Sequence, residues 1–589
     1  MQKTHKQSSG AHARINFFIA CTLFVMGIFL FKLFTIQVLQ HEKYAAMAQS
    51  QYWSLQQIPA KRGQILTKDG FALASNSIAF LLFAQPKLIN DSAQTANDLA
   101  AILMKKDQAD GDFAALEKEL HEKLLLDLSW VALVHGVTEE ERKEIEQKNI
   151  AGLGFDEEPI RYYPEKTLAA HVLGFVGKDD DGNERGYFGI EGGYDGDLRG
   201  RPGRILEERD AAGAPILVGG YRRVNSIDGR DIELTIDRPV QYIIEKYLKA
   251  GVLSYGAVSG SVIVMNPVTG DVLAMANYPT YDPGKYTEVS ADTKEASSAV
   301  IEKRNLSISE TYEPGSVMKA LTIASAVDAG KVTPATTFTD AGPVVYSDYT
   351  IDNWDGKHYG MQNIVQLLQK SNNIGAAWVG HLLGANTLSK YFKNFGLGAV
   401  TNVGLEGEDT GTIRNYEDWT DIDLATISFG QGISATPLQM LNAVNVIANG
   451  GFLMQPRIVA RVHDNGDVID IPEKELRRVL SKETADTMVD LLTKAVEGGE
   501  SKFFNIRNYR IAGKTGTAQI PVEGKYDPTK TNATFVGFLA ASKKFSMIVR
   551  LDRPSASPYA SETAVPLWMQ ITKELAGYYG IPPDIAVSN

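Results

Sequence analysis

Three short words stand in one order along this chain: Ser316-Val317-Met318-Lys319, Ser371-Asn372-Asn373 and Lys514-Thr515-Gly516. Each pattern, SxxK, SxN and KTG, occurs once. Singly they are cheap. At average composition SxxK arises about twice by chance in a chain this long. SxN suits any turn or cap, and KTG suits a strand that ends in a turn. Their conjunction, in order and in fitting local context, is the set of a serine acyl-transferase whose base is a lysine. A fold for this chain must therefore bring a helix start, a loop and a strand together from three separate stretches.

The first word follows Glu313-Pro314-Gly315 and precedes an Ala- and Leu-rich run to Gly330. Proline opens helices because its missing N–H has no partner there anyway, and Gly330 is a natural stop. Ser316 is thus expected in the first turn of a buried helix, with Lys319 on the same face. A serine hydroxyl attacks only when a neighbour takes its proton. Lysine can do so only with a lowered pKa. Burial, the positive helix end and a second cation all act that way, and Lys514 is the candidate cation.

The third word lies in strand-like sequence from Tyr509 to Ala518. Gly513 and Gly516 are expected to clear room for a substrate backbone along the strand edge. Backbone N–H groups there can form an oxyanion hole. The second word follows a predicted helix over 361–370, which would leave Ser371 and Asn373 on a loop as polar hydrogen-bonders.

The chain resembles a class B penicillin-binding protein, a monofunctional peptidoglycan transpeptidase. Beyond the three words, the resemblance rests on Arg62-Gly63-Gln64-Ile65-Leu66, Tyr163-Pro164-Glu165, Gly189-Ile190-Glu191-Gly192 and the stretch Gly430 to Met440. It covers nearly everything after about residue 45. The ending Tyr578-Tyr579-Gly580-Ile581-Pro582-Pro583 leans toward the cell-division branch. The resemblance implies that Ser316 attacks the penultimate D-Ala of a peptidoglycan stem peptide while Lys319 takes its proton. Ser316 and Thr517 N–H groups would hold the oxyanion. Ser371 would relay a proton to the leaving amine, and Asn373 would bind the peptide. Lys514, Thr515, Gly516 and Thr517 would receive the terminal carboxylate. β-Lactam antibiotics would be trapped at Ser316.

The chain has 589 residues, predicting two or three domains, and 44% hydrophobic composition, enough for real cores. Its net charge of −12 argues against a nucleic-acid partner. Cys21 is the single cysteine, which excludes a disulfide or a Cys-based metal site. The nine histidines lack ligand spacing, so neither a metal nor another cofactor is expected.

Residues 1–14 carry Lys3, Lys6 and Arg14 and no acid, and an apolar run extends from Ile15 to about Leu39. That suffices to span a bilayer, which takes about 20 residues. The expected topology is a tail (1–14) inside, one transmembrane anchor (15–39), and the rest outside a bacterial cytoplasmic membrane. A cleaved signal peptide is the rival reading. Ala46-Met47-Ala48 offers a cleavage triplet but lies well beyond the run, which is itself longer than a signal peptide's.

Residues 45–225 read as a mixed, non-catalytic pedestal with charged helices, a dimerisation-type domain by the resemblance. Residues 228–580 read as the catalytic domain. There, 262–265 and 272–275 form a hairpin pattern, 533–539 and 545–551 read as strands, and 563–577 as a last helix. Strands from both ends of one domain, with helices between, give an antiparallel sheet flanked by helices, an α+β fold. A membrane glycan polymerase and divisome proteins are the partners implied. An elongation-type enzyme, a D,D-carboxypeptidase or β-lactamase-like hydrolase, and a non-catalytic β-lactam sensor remain alternatives.

Overall fold

The computed structural model describes residues 9–44, 53–104, 110–180, 182–208, 221–287, 303–346, 349–522 and 525–584. Residues 1–8 of the expected tail and the Ala46-Met47-Ala48 triplet lie outside the described residues. The chain divides into two compact units, residues 1–60 with 200–228 and residues 61–199 with 229–589.

In the first unit, helix Ser9–Phe34 runs into a π-helical turn at Thr35–Leu39. It begins before the expected Ile15, because Ala11, Ala13 and Arg14 are good helix formers and no proline interrupts them. Within His12–Leu39 an 18-residue window reaches a mean hydropathy of 2.4, and the helix is long and apolar enough to cross a membrane. Strands Trp53–Ile58, Gly203–Glu208 and Tyr221–Val224 form an antiparallel sheet in this unit.

The second unit is built on a five-stranded antiparallel sheet. Its strands are β1 (Ser259–Met265), β2 (Val272–Tyr278), β3 (Ile511–Val522), β4 (Lys525–Leu539) and β5 (Ser546–Asp552), in the order β2-β1-β5-β4-β3. Every residue of β1, β2 and β5 is buried. Side chains alternate between two cores, so both faces must be covered. Val262, Val264, Phe535 and Val549 meet helices α1 (Arg238–Tyr255) and α7 (Ala564–Tyr578). Ile263, Met265, Val536 and Ile548 lie in the core shared with α2 (Met318–Asp328) and α5 (Pro437–Ala448). Helices α3 (Ile364–Lys370), α4 (Asn373–Leu383) and α6 (Lys482–Gly498) complete that layer. The expected antiparallel sheet flanked by helices is thus present, and β3, with the KTG word, is its edge strand.

The division of the chain at 225/228 does not follow the backbone pairing. Strand Asp231–Leu234 pairs in parallel with Ile65–Leu66 and antiparallel with Val459–Asp464. A single sheet therefore carries strands from both sides of the expected boundary. A composition shift along the chain cannot show such an exchange of strands.

Arg62 and the glycine-rich words close this arrangement as packing positions. The buried Glu191 carboxylate receives Arg62 Nε at 2.6 Å and Arg161 Nε at 2.6 Å, while Arg62 Nη1 reaches Asp195 at 2.8 Å. Removing one partner of a buried pair leaves an uncompensated charge. Arg161→Met is expected to cost about 3–5 kcal/mol, read as a lower thermal unfolding temperature. Lys482→Met, which breaks an exposed i,i+4 pair with Asp486, should cost less than about 1 kcal/mol.

Candidate active site

The three words meet. Ser316 sits in a 3-10 turn, Gly315–Val317, that leads directly into α2, and it is half-exposed while Lys319 is fully buried. The turn is set by two glycines at positive φ, Gly315 (+54°) and Gly430 (+90°). Gly315 N–H donates to Gly430 O at 3.0 Å, and a Cβ on Gly430 would lie 2.1 Å from Gly315 O. α2 ends as expected: Gly330, at φ +65°, donates its N–H to Val327 O.

The second word differs from its expectation. Residues 361–363 belong to strand Gly360–Asn363, and α3 starts only at Ile364 with Asn363 and Gln366 forming a capping box. Asn373 is not on a loop but opens α4. Ser371 alone joins α3 to the cap of α4, at a left-handed φ of +52°. Asn372 caps α4 by accepting Gly375 N–H, and its amide donates to the buried Asp340 and to Gln362. The left-handed residue aims both oxygens of Ser371 at one point.

That point is the Lys319 amine. Nζ lies 2.6 Å from Ser371 O, 2.7 Å from Asn373 Oδ1, 2.9 Å from Ser316 Oγ and 3.3 Å from Ser371 Oγ. Lys514 Nζ donates to Ser371 Oγ at 3.0 Å from the far side. Burial, and then the Lys514 charge, push the Lys319 pKa well below the ordinary lysine range. Burial also lowers that of Lys514, and Glu500 opposes the fall at both lysines.

Gly513 and Gly516 serve packing rather than room for substrate. A Cβ on Gly516 would lie 2.8 Å from Pro314 O and 2.8 Å from Val317 Cγ2, and one on Gly513 would strike the Phe535 ring at 2.6 Å. Gly516 thus lets β3 press against the nucleophile's turn. Thr517 Oγ1 accepts Ala560 N–H at 3.0 Å, keeping its own proton to donate. Thr515 Oγ1 instead donates to Glu500 Oε2 at 3.0 Å and accepts from Lys514. In front of Ser316 opens a cleft of about 750 Å³ edged by Tyr349, Trp354, Tyr526 and Tyr559. Among the described residues no cluster of three or more His, Cys, Asp or Glu side chains is placed to hold a metal ion.

Sequence reasoning missed Asp340, Asn353 and Glu500. Asn353 accepts Asn373 N–H at 3.0 Å and donates to Asp340, fixing the second word from behind. No spacing in the sequence ties these residues to the three words.

Ser316 lines this cleft, and the wholly buried Lys319 amine stands 2.9 Å behind its hydroxyl. Residues 260–573 match the penicillin binding protein transpeptidase domain family, and residues 57–234 match the penicillin-binding protein dimerisation domain family. The chain belongs to the penicillin-binding protein transpeptidases and is a class B member, a peptidoglycan transpeptidase of cell-wall synthesis. It is 30% identical over 561 residues to stage V sporulation protein D of Bacillus subtilis, covering 93% of this chain and 83% of that one. It is 28% identical over 596 residues to the peptidoglycan D,D-transpeptidase FtsI of Escherichia coli, covering 99% of this chain and 95% of that one. Penicillin binding protein 2X from Streptococcus thermophilus has a similar fold, with a TM-score of 0.72 at 24% identity, over 89% of this chain and 80% of that one.

Gly516→Ala should displace the Ser316 turn. A misplacement near 1 Å costs roughly a hundred-fold in rate, so labelling by a fluorescent penicillin is expected to slow by about that factor.

Proposed function

We infer that the chain forms a covalent acyl-enzyme at Ser316 from a stem peptide ending in D-Ala-D-Ala and transfers the acyl group to a neighbouring stem's amine. The observation that carries this reading is the Lys319 amine, 2.9 Å from Ser316 Oγ and buried. A neutral amine has two N–H donors and one lone pair. Ser371 O and Asn373 Oδ1, the two nearest acceptors, have no proton to give back, so they take the donors. The lone pair then faces Ser316 and accepts its proton as Oγ attacks the carbonyl carbon.

The oxyanion falls to the N–H groups of Ser316 and Thr517, as the family resemblance implies. Ser371 Oγ accepts from Lys514, so its own proton is free for the departing D-Ala amine. Thr517 and Lys514 receive the terminal carboxylate, and Thr515 acts through Lys514 rather than as a donor to it. The second amine then attacks the ester carbonyl and the carbon–Oγ bond breaks; Lys319 returns its proton to Ser316 Oγ, and the proton the amine loses replaces the one Ser371 gave up. Penicillins and other β-lactams present the same acyl group and remain on Ser316.

The apolar helix supports a single-pass anchor with residues 1–14 inside and the catalytic unit outside. Residues 45–225 then serve as the pedestal of the catalytic domain (228–580), offering surfaces to a membrane glycan polymerase and to divisome proteins. The Tyr578–Pro583 ending favours a septal site of action, to be read by imaging a fluorescent fusion in dividing cells: a side-wall pattern would refute it.

Incubation with a labelled penicillin and peptide mapping should place one adduct on Ser316. No adduct, or one that survives Ser316→Ala, overturns the acyl-enzyme. Lys319→Arg substitutes a permanent cation and should slow acylation at every pH by about 10²–10⁴-fold. The base must be neutral to act. In the parent chain, acylation therefore rises with pH through the lowered Lys319 pKa and falls below it.

A further inference from the structure

One acid near the reacting serine has no part in the mechanism above. Glu500 follows α6 through Gly498 and Gly499. A Cβ on Gly498 would lie 2.3 Å from Gln369 Nε2, and one on Gly499 would lie 2.8 Å from Gln369 O. The two glycines therefore let the end of α6 close against the end of α3, just before Ser371. This close approach delivers the Glu500 carboxylate to the KTG strand. Its Oε2 accepts the Thr515 hydroxyl proton at 3.0 Å, and Thr515 Oγ1 in turn accepts from Lys514 Nζ at 3.0 Å. Lys514 Nζ reaches Ser371 Oγ, which Lys319 Nζ contacts on its other side. A continuous hydrogen-bonded line thus runs from Glu500 through Thr515, Lys514 and Ser371 to the amine beside Ser316.

We propose that Glu500 is a positioning residue for the acyl transfer: it holds the Thr515–Lys514 arm of the site and sets how readily Lys319 gives up its charge. Without a carboxylate, the buried Lys514 ammonium beside Ser371 would lose the negative charge that raises its pKa. With it, Lys514 keeps a counter-charge and stays cationic for the substrate carboxylate. The same negative charge reaches Lys319 and holds its proton more tightly than the lysine pair alone would. The chain therefore trades some base strength at low pH for a fixed cation at the carboxylate end of the site.

Other charged and titratable groups surround this line. Tyr359 feels both Glu500 and Asp355, and Lys370 lies 5.1 Å from its ring centroid. Asp340 lies behind Asn372 with His358 Nδ1 at 3.4 Å, and His358 Nε2 is 3.9 Å from Asp352. Of these, Glu500 alone connects to the lysine pair through the Thr515 hydroxyl.

The inference rests on the Ser316 acyl-enzyme, and the experiment separates the two. The rate of acylation of the full-length, detergent-solubilised protein by a fluorescent penicillin is measured from pH 5 to pH 10. Parent, Glu500→Gln, Glu500→Asp and Glu500→Ser are compared, each with its unfolding temperature. A carboxylate favours the charged form of a nearby ammonium, so its loss lowers the lysine pKa. The midpoint of the acid limb should move to lower pH in Glu500→Gln by roughly half a unit to one unit. Glu500→Asp should restore it. Glu500→Ser, charge-free with less bulk, must move it the same way if Glu500→Gln folds poorly. Midpoints that coincide with the parent's, or a loss of rate by one constant factor at every pH, overturn the proposal. Absence of any Ser316 adduct in the parent chain would instead overturn the acyl-enzyme itself.

Discussion

Everything in the site depends on keeping a lysine amine out of water. Lys319 is wholly buried, and its natural charge is opposed by that burial and by Lys514 on the other side of Ser371. A buried charge without compensation is costly, and a buried neutral amine needs only its few hydrogen bonds met. The surroundings of Lys319 supply them: Ser371 O, Asn373 Oδ1 and Ser316 Oγ all lie within 2.9 Å. An amine in this setting is a base, and the nearest hydroxyl with a proton and an open face is Ser316.

The backbone is shaped to hold that geometry. Gly315 and Gly430 interlock to present Ser316 at the head of α2, and Gly516 allows the edge strand to approach the same turn. Ser371 takes a left-handed conformation so that two helices can begin and end around it. Behind it, Asn372, Asn353 and Asp340 form a polar brace that is buried and joined by hydrogen bonds. Such a brace restricts where the Ser371 and Asn373 oxygens can sit, and so keeps the amine from drifting away from the serine.

Much of this was legible in the sequence. The three words marked which residues converge, Pro314 and Gly330 marked the ends of the nucleophile's helix, and the strand-like stretches around the KTG word and at both ends of the catalytic domain pointed to the sheet that carries it. What was not legible depends on contacts between distant segments. The role of Gly516 depends on Pro314 lying opposite it. Asp340 and Asn353 carry no spacing relative to Asn372, and Glu500 reads in sequence only as the residue after a helix stop. The strand Asp231–Leu234 joins partners on both sides of a boundary that composition alone would draw. The helix predicted over 361–370 is present from Ile364 to Lys370 and starts three residues late for a local reason, since Asn363 with Gln366 makes a better helix start than Met361 does.

The most direct measurement is the titration of Lys319 itself. In protein with ¹³C-labelled lysine, the resonance absent from Lys319→Arg identifies its side chain. It should titrate well below the range of the surface lysines. If the Lys319 signal stays in its charged position up to the pH at which exposed lysines titrate, the amine is not available as a base, and the site does not work as its geometry indicates.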